Sequence, residues 1–262
     1  GGKTVAGQDM VEECLHKNIA VIVFDPTAQW SGMLRKLTSA QMLKIFPKFK
    51  MKKKDATAFN GNVRAISDAR EIIEIKKYIK PGEIQIFTLN KLDPKDIDMF
   101  VANVIRQVFK SDPKESPNLK LLLVFDEVHR LLPKFGGSGA GFLQIERGAR
   151  EFRKWGVGII LLSQVVMDFP PQVKANINTE LLFRTRDERD LNRIRELQTP
   201  SATNPAGDSD LYIRIINFIS QYALTETHRP SFKYASITDE YHNGLGFTEV
   251  AVKYWPIITL TS

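Results

Sequence analysis

The chain has 262 residues, 43% of them hydrophobic and 26% charged, with a formal net charge of +7. These values fit a soluble globular protein with one large α/β domain and a small appendage, and leave no room for two full domains. No apolar run approaches the ~18 residues that span a bilayer, and the basic balance favours polyanionic partners such as nucleic acid or acidic lipid.

The chain opens with Gly1-Gly2-Lys3-Thr4 rather than a basic and apolar leader, so no secretory signal is expected. Gly2, Lys3 and Thr4 match the last three residues of the phosphate-binding pattern G-x-x-x-x-G-K-[ST]. The glycine lets backbone approach phosphate, the lysine bridges the outer phosphates, and the hydroxyl ligates magnesium. All three belong at a helix N-terminus, whose dipole attracts anions. The helical stretch Val5 to Lys17 supplies that helix. It carries the single cysteine, Cys14, which is read as a core residue; without a second cysteine no intrachain disulfide forms, as suits a reducing cytosol.

Ile19 to Phe24 reads as a buried strand and ends at Asp25. Asp25 either neighbours the phosphate site or caps the following Pro26-Thr27 loop. Residues 31–62 read as a Lys-rich insertion of helix and loop, with six lysines between Lys44 and Lys54. Those lysines would serve DNA phosphates, acidic lipid, or simply a solvated arm. Asp68 to Tyr78 reads as a helix, and Ile84 to Leu89 as the next strand. Asn90-Lys91-Leu92-Asp93 matches the guanine-reading N-K-x-D, but the candidate metal acid follows it in the chain rather than preceding it. It is therefore read as the turn into a helix from Pro94 to Phe109, where Ile97, Phe100, Val101, Val104, Ile105 and Val108 share one stripe.

Leu119 to Phe125 is a strand tipped by Asp126 and Glu127. An apolar strand ending in two acids is the second half of a phosphate-loop ATPase. Asp126 would hold magnesium through its water shell, and Glu127 would polarise the attacking water. His129 is read as a support residue, and the four histidines lack metal-ligand spacing. The helix from Gly141 to Trp155 places Arg147, Arg150 and Lys154 on one face. These would reach a neighbouring subunit's ATP, touch DNA phosphates, or solvate the helix. The strand Gly158 to Ser163 leads into Gln164, either a sensor of the γ-phosphate or an ordinary strand end.

Thr179 to Phe183 reads as a fifth strand and Glu188 to Leu197 as a helix. Thr199 to Asp210 is loop, Leu211 to Ala223 helical, and Phe247 to Lys253 with Pro256 to Leu260 a closing hairpin. The strands lack a period-two pattern, as a parallel sheet covered on both faces requires. The alternation implies a doubly wound α/β fold with right-handed crossovers.

In this order the motifs resemble the HerA/FtsK superfamily of P-loop ATPases. Asp126-Glu127-Val128-His129-Arg130-Leu131-Leu132-Pro133 is similar to that superfamily's EEAHRLLP-type segment. The segment from Ala149 to Gly158 is similar to AREGRKFGVG, Leu162-Ser163-Gln164 to ASQ, and Phe24-Asp25-Pro26 to the IDPHGE region. The likeness covers residues 1–198, specifically so from 119 to 195. It implies a RecA-like P-loop core over 1–198, with 199–262 adding loop, helix and closing strands to the same domain. It further implies a cytoplasmic, hexameric ring that hydrolyses ATP between subunits and drives double-stranded DNA through a basic channel. Carried over by position, Gly2, Lys3 and Thr4 bind the phosphates, Thr4 and Asp126 serve Mg2+, Glu127 activates water and Gln164 senses the γ-phosphate. Arg150 or Arg153 is the finger reaching across subunits. The alternative within the same resemblance is a motor of a conjugation or DNA-uptake apparatus peripheral to the membrane. A nuclease or a membrane channel would be the respective partner.

Overall fold

The computed structural model describes residues 3–49, 52–133, 136–164, 173, 176–177, 179–182 and 257–261. Helix α1 (Lys3–His16) leads into strand β1 (Ala20–Asp25). A short 3-10 helix (Trp30–Leu34), helix α2 (Ala40–Ile45) and two further 3-10 turns precede β2 (Gly61–Ala65). Strand β3 (Ile84–Thr88), helix α3 (Pro94–Lys110), β4 (Leu121–Phe125), helix α4 (Ala140–Glu151) and β5 (Val157–Ser163) follow. β6 (Thr179–Leu182) and β7 (Ile257–Thr261) complete the sheet.

The seven strands run in the order β2-β3-β1-β4-β5-β7-β6, and every pairing is parallel. This is the α/β architecture expected from strands rich in Ile, Val, Leu and Phe that lack a period-two pattern. β1, β3, β4 and β5 are buried at every position. Alternate side chains feed two cores. Val21, Val23, Leu122, Val124, Ile160 and Leu162 pack under α1 through Ala6, Met10, Val11, Cys14 and Leu15. Ile22, Phe24, Leu123, Phe125, Ile159 and Leu161 pack on the other face, against Phe100, Val101, Val104 and Val108 of α3 and Phe142 and Ile145 of α4. The sheet is thus covered on both sides, and all its carboxyl ends point the same way.

Three expectations are corrected. Asp68 to Tyr78 is not a helix: only Ile75–Tyr78 forms a 3-10 turn. Ile73 and Ile75 are buried while Glu74 between them and Ile72 before them are exposed, a two-residue rhythm that a helix cannot satisfy. The span read as a Lys-rich insertion to residue 62 instead runs into edge strand β2. Its sequence, Gly-Asn-Val-Arg-Ala, is exposed from Asn62 onward and gives no apolar signal. Gly61 lies so close to β3 that a Cβ there would sit 1.9 Å from the Ile84 carbonyl oxygen, so the pairing needs glycine. Finally, β7 does not close a hairpin. It lies between β5 and β6 and is parallel to both, where the expectation paired it with residues 247–253. Those residues, the expected helices 188–197 and 211–223, and the loop 199–210 lie outside the described residues.

Asp93 caps α3, its carboxylate accepting from the Asp96 amide at 2.8 Å with Pro94 in the first turn. The Asn90–Asp93 motif therefore has a helix-starting job, as its place in the chain indicates. Among the described residues no helix is long and apolar enough to cross a membrane.

Candidate functional site

A parallel sheet gathers its strand ends at one edge, where ligand sites of α/β folds form. Here the ends of β1, β4 and β5 meet the N-terminus of α1. Lys3, in the first turn of α1, is 5% exposed, and its Nζ donates to Glu127 Oε1 at 2.8 Å. The same nitrogen lies 3.9 Å from Asp126 Oδ1. Gln164, one residue beyond β5, donates from Nε2 to Glu127 Oε1 at 2.8 Å. Lys3, Asp126, Glu127 and Gln164, separated by up to 161 positions in sequence, thus converge on one carboxylate pair.

Glu127 is held in an unusual backbone state. Its φ of 48° and ψ of 44° are left-handed, a conformation that costs a residue with a Cβ. The turn swings the Glu127 side chain back to Lys3, while the Glu127 amide donates to Asp126 Oδ1 at 2.9 Å. His129 Nδ1 lies 3.2 Å from the other Glu127 oxygen, Oε2.

The two acids titrate in opposite directions. Burial pushes the Asp126 carboxyl above its ordinary range, and hydrogen bonding from Trp30 and the charge of Lys3 offset this only in part. Burial alone would raise Glu127 as well. There the hydrogen bonds from Lys3 and Gln164, with the charges of Lys3 and His129, outweigh it and hold the carboxyl low. Glu127 is therefore a formed carboxylate near neutral pH, with a lysine beside it. Such a pair suits proton abstraction from water next to an anion that Lys3 would neutralise.

The remaining sequence candidates sit as follows. Thr4 is half-buried beside Lys3 in the first turn of α1, and Gly2 lies outside the described residues. Arg150 is exposed on α4 and pairs with Glu146 at 3.5 Å. Arg153 is exposed in the 3-10 turn Phe152–Trp155. Arg147 stacks over the Phe109 ring at 4.0 Å and bonds Glu151, and Lys154 lies over Trp155. Arg150 and Arg153 are thus both exposed, on α4 and on the turn that follows it. Lys44, Lys52, Lys53 and Lys54 are also exposed.

Asp25, left open between two roles, is occupied by its own loop. Its Oδ1 accepts from the Thr27 amide and hydroxyl, both at 3.1 Å, and its Oδ2 from the Trp30 amide at 2.9 Å. Trp30 then reaches into the site: its fully buried indole donates from Nε1 to Asp126 Oδ2 at 3.0 Å. Sequence reading missed this residue. A tryptophan five places after a strand-end acid shows no periodicity, and its partner lies 96 residues away.

Among the described residues no three His, Cys, Asp or Glu side chains are grouped to hold a metal unaided. One buried carboxylate, Asp126, and the hydroxyl of Thr4, the residue after Lys3 in α1, would fit a hard cation that keeps most of its water and shares phosphate oxygens.

No family model matches the chain. Individual relatives do. The chain is 27% identical over 128 residues to the DNA double-strand break repair helicase HerA of Sulfurisphaera tokodaii, covering 45% of this chain and 25% of that protein. It is 30% identical over 128 residues to the HerA of Sulfolobus acidocaldarius, with 45% and 25% coverage. It is 28% identical over 127 residues to a Methanocaldococcus jannaschii protein named "Probable helicase MJECL08", with 45% and 24% coverage. The chain spans about a quarter of the length of these curated relatives. The matches support a relationship to HerA-like ATPases, and the parallel α/β sheet agrees with it.

Proposed function

We propose that this chain is the motor core of an ATP-hydrolysing enzyme that moves along or opens double-stranded DNA. The observation that carries the reading is the meeting of Lys3 with Asp126, Glu127 and Gln164 at the carboxyl edge of the sheet. The relatives named DNA double-strand break repair helicases supply the DNA.

The residues divide the work by position. Lys3 leaves Glu127 when a triphosphate arrives and neutralises the outer phosphate oxygens, with the α1 N-terminus adding its dipole. Freed from the lysine, the Glu127 carboxylate takes a proton from a water molecule as that water's oxygen bonds to the γ-phosphorus and the bond to ADP breaks. Gln164 holds the same carboxylate oxygen and so registers whether Lys3 is engaged elsewhere. Thr4 and Asp126 would hold Mg2+, which when bound draws charge from the phosphate oxygens. Arg150 or Arg153, both exposed, would reach a neighbouring copy's nucleotide in a homo-oligomer, a hexameric ring in the HerA-like reading. Exposed Lys44 and Lys52 to Lys54 offer phosphate contacts for DNA.

The test is ATP hydrolysis by the complete protein with and without duplex DNA. Duplex should raise the rate, and DNA affinity should fall steeply with salt as counterions are released. Hydrolysis indifferent to duplex at low salt would remove DNA from the reading.

A further inference from the structure

We propose that Trp30 is a positioning residue for Asp126, and that its indole N–H fixes the carboxylate which meets the divalent metal. The inference rests on the reading of this edge as a metal–nucleotide site and adds a residue to it.

The geometry is a relay of two acids through one side chain. Asp25, at the end of β1, is fully buried and spends both oxygens on its own loop, the Oδ2 on the Trp30 amide. That anchors the start of the 3-10 helix Trp30–Leu34. The left-handed Ala28, at φ 57°, makes the loop tight enough for the anchor. The Trp30 ring is 0% exposed, wedged in the core cluster between α1 and the sheet. An indole has a single N–H and no acceptor, and here that proton goes to Asp126 Oδ2 at 3.0 Å.

The other Asp126 oxygen accepts the Glu127 amide at 2.9 Å. The carboxylate therefore cannot turn about its Cβ–Cγ bond without losing two buried hydrogen bonds. Its plane is set before any cation arrives, and the ordering that a free aspartate would undergo on binding has already been met. A neutral donor is suited to this task. It orients the anion without cancelling its charge, whereas a second lysine would repel the cation. Asp25, often the first acid suspected in such a loop, then acts at one remove by holding the residue that holds Asp126.

The experiment uses the complete protein with Trp30 replaced by β-(3-benzothienyl)alanine, which keeps the bicyclic shape but has sulfur in place of N–H, alongside Trp30→Phe. Bound Mn2+ is counted by electron paramagnetic resonance during titration in the presence of ADP. Metal-free affinity for a fluorescent ADP analogue is measured in EDTA. Loss of one hydrogen bond to a charged group predicts Mn2+ affinity weakened about tenfold in the benzothienyl protein, with metal-free ADP affinity unchanged. Unchanged Mn2+ affinity in that protein overturns the inference. So does an equal fall in both affinities, which would show a merely structural role. A parent protein that binds neither ADP nor Mn2+ overturns the nucleotide reading itself, and with it this one.

Discussion

Lys3 Nζ and Glu127 Oε1 lie 2.8 Å apart across 124 residues of chain, with both side chains less than a tenth exposed. The bond ties the N-terminus of α1 to the tip of β4. It also sets the lysine's charge against the Glu127 carboxylate, so that the two charges neutralise each other.

Removing one partner of a buried ion pair leaves the other charge uncompensated, so Lys3→Met should destabilise the protein by about 3–5 kcal/mol. The double variant Lys3→Met, Glu127→Gln should recover part of that loss, with a coupling of about 1–3 kcal/mol. Urea denaturation of the four proteins checks this; additive losses would mean the two side chains do not interact in solution.

Acid titration should separate the two carboxyls. Glu127, held below its ordinary 4.5, contributes stability that is present above that value and lost as pH falls through its folded one. Asp126, raised above 3.8, has the opposite sign: its ionisation costs stability, and acid relieves that cost. Glu127→Gln should therefore lose less stability than the parent as pH falls below 4.5, and Asp126→Asn should lose more as pH falls toward 3.8. Denaturation midpoints measured across that range decide it, and a reversed order would reverse the assignment.

Asp98 of α3 is a second buried acid with a structural task. Its carboxylate accepts from the amides of Ser138, Ala140 and Gly141 at 3.0, 3.0 and 2.7 Å, and also from the Ser138 hydroxyl. It caps α4 from another helix. Asp98→Asn, which keeps one acceptor oxygen but no charge, should cost about 1.5–3 kcal/mol. Gly141→Ala should also destabilise, because its Cβ would stand 2.7 Å from Asp98 Oδ1. A shift in denaturation midpoint too small to resolve for either variant would remove Asp98 as the anchor of α4.

Cys14 should be inert in the folded protein. The residue is 4% exposed, and burial, reinforced by the charge of Glu13, pushes its thiol pKa up to about 12. Reaction with a thiol reagent at pH 8 should wait for unfolding. Rapid labelling under native conditions would show that α1 opens readily.

Much of this was legible in the sequence. Four buried strands declared themselves because burial on both faces favours Ile, Val, Leu and Phe without a period-two alternation, although β3 also buries Gln85 and Thr88. Parallel pairing then brings Asp126, Glu127 and Gln164 to one edge, where the lysine at the head of α1 also falls. β2 was not legible, since an exposed edge strand carries no hydrophobic pattern and its pairing depends on Gly61 fitting against Ile84. Asp68 to Tyr78 misled because its Ile, Glu and Lys residues favour helix in isolation while tertiary burial selects alternate positions. Trp30 and Asp98 were invisible for another reason. Their partners lie 96 and about 40 residues away, and no local pattern encodes a hydrogen bond closed only by the fold.

The most direct measurement is a calorimetric titration of ATP with Mg2+ into the complete protein carrying Glu127→Gln, paired with its phosphate release. If Lys3 holds phosphate and Glu127 activates water, this variant binds ATP and turns it over at least about 100-fold more slowly than the parent. Absence of ATP binding in both proteins, or undiminished phosphate release from the variant, would contradict the assignment of this site.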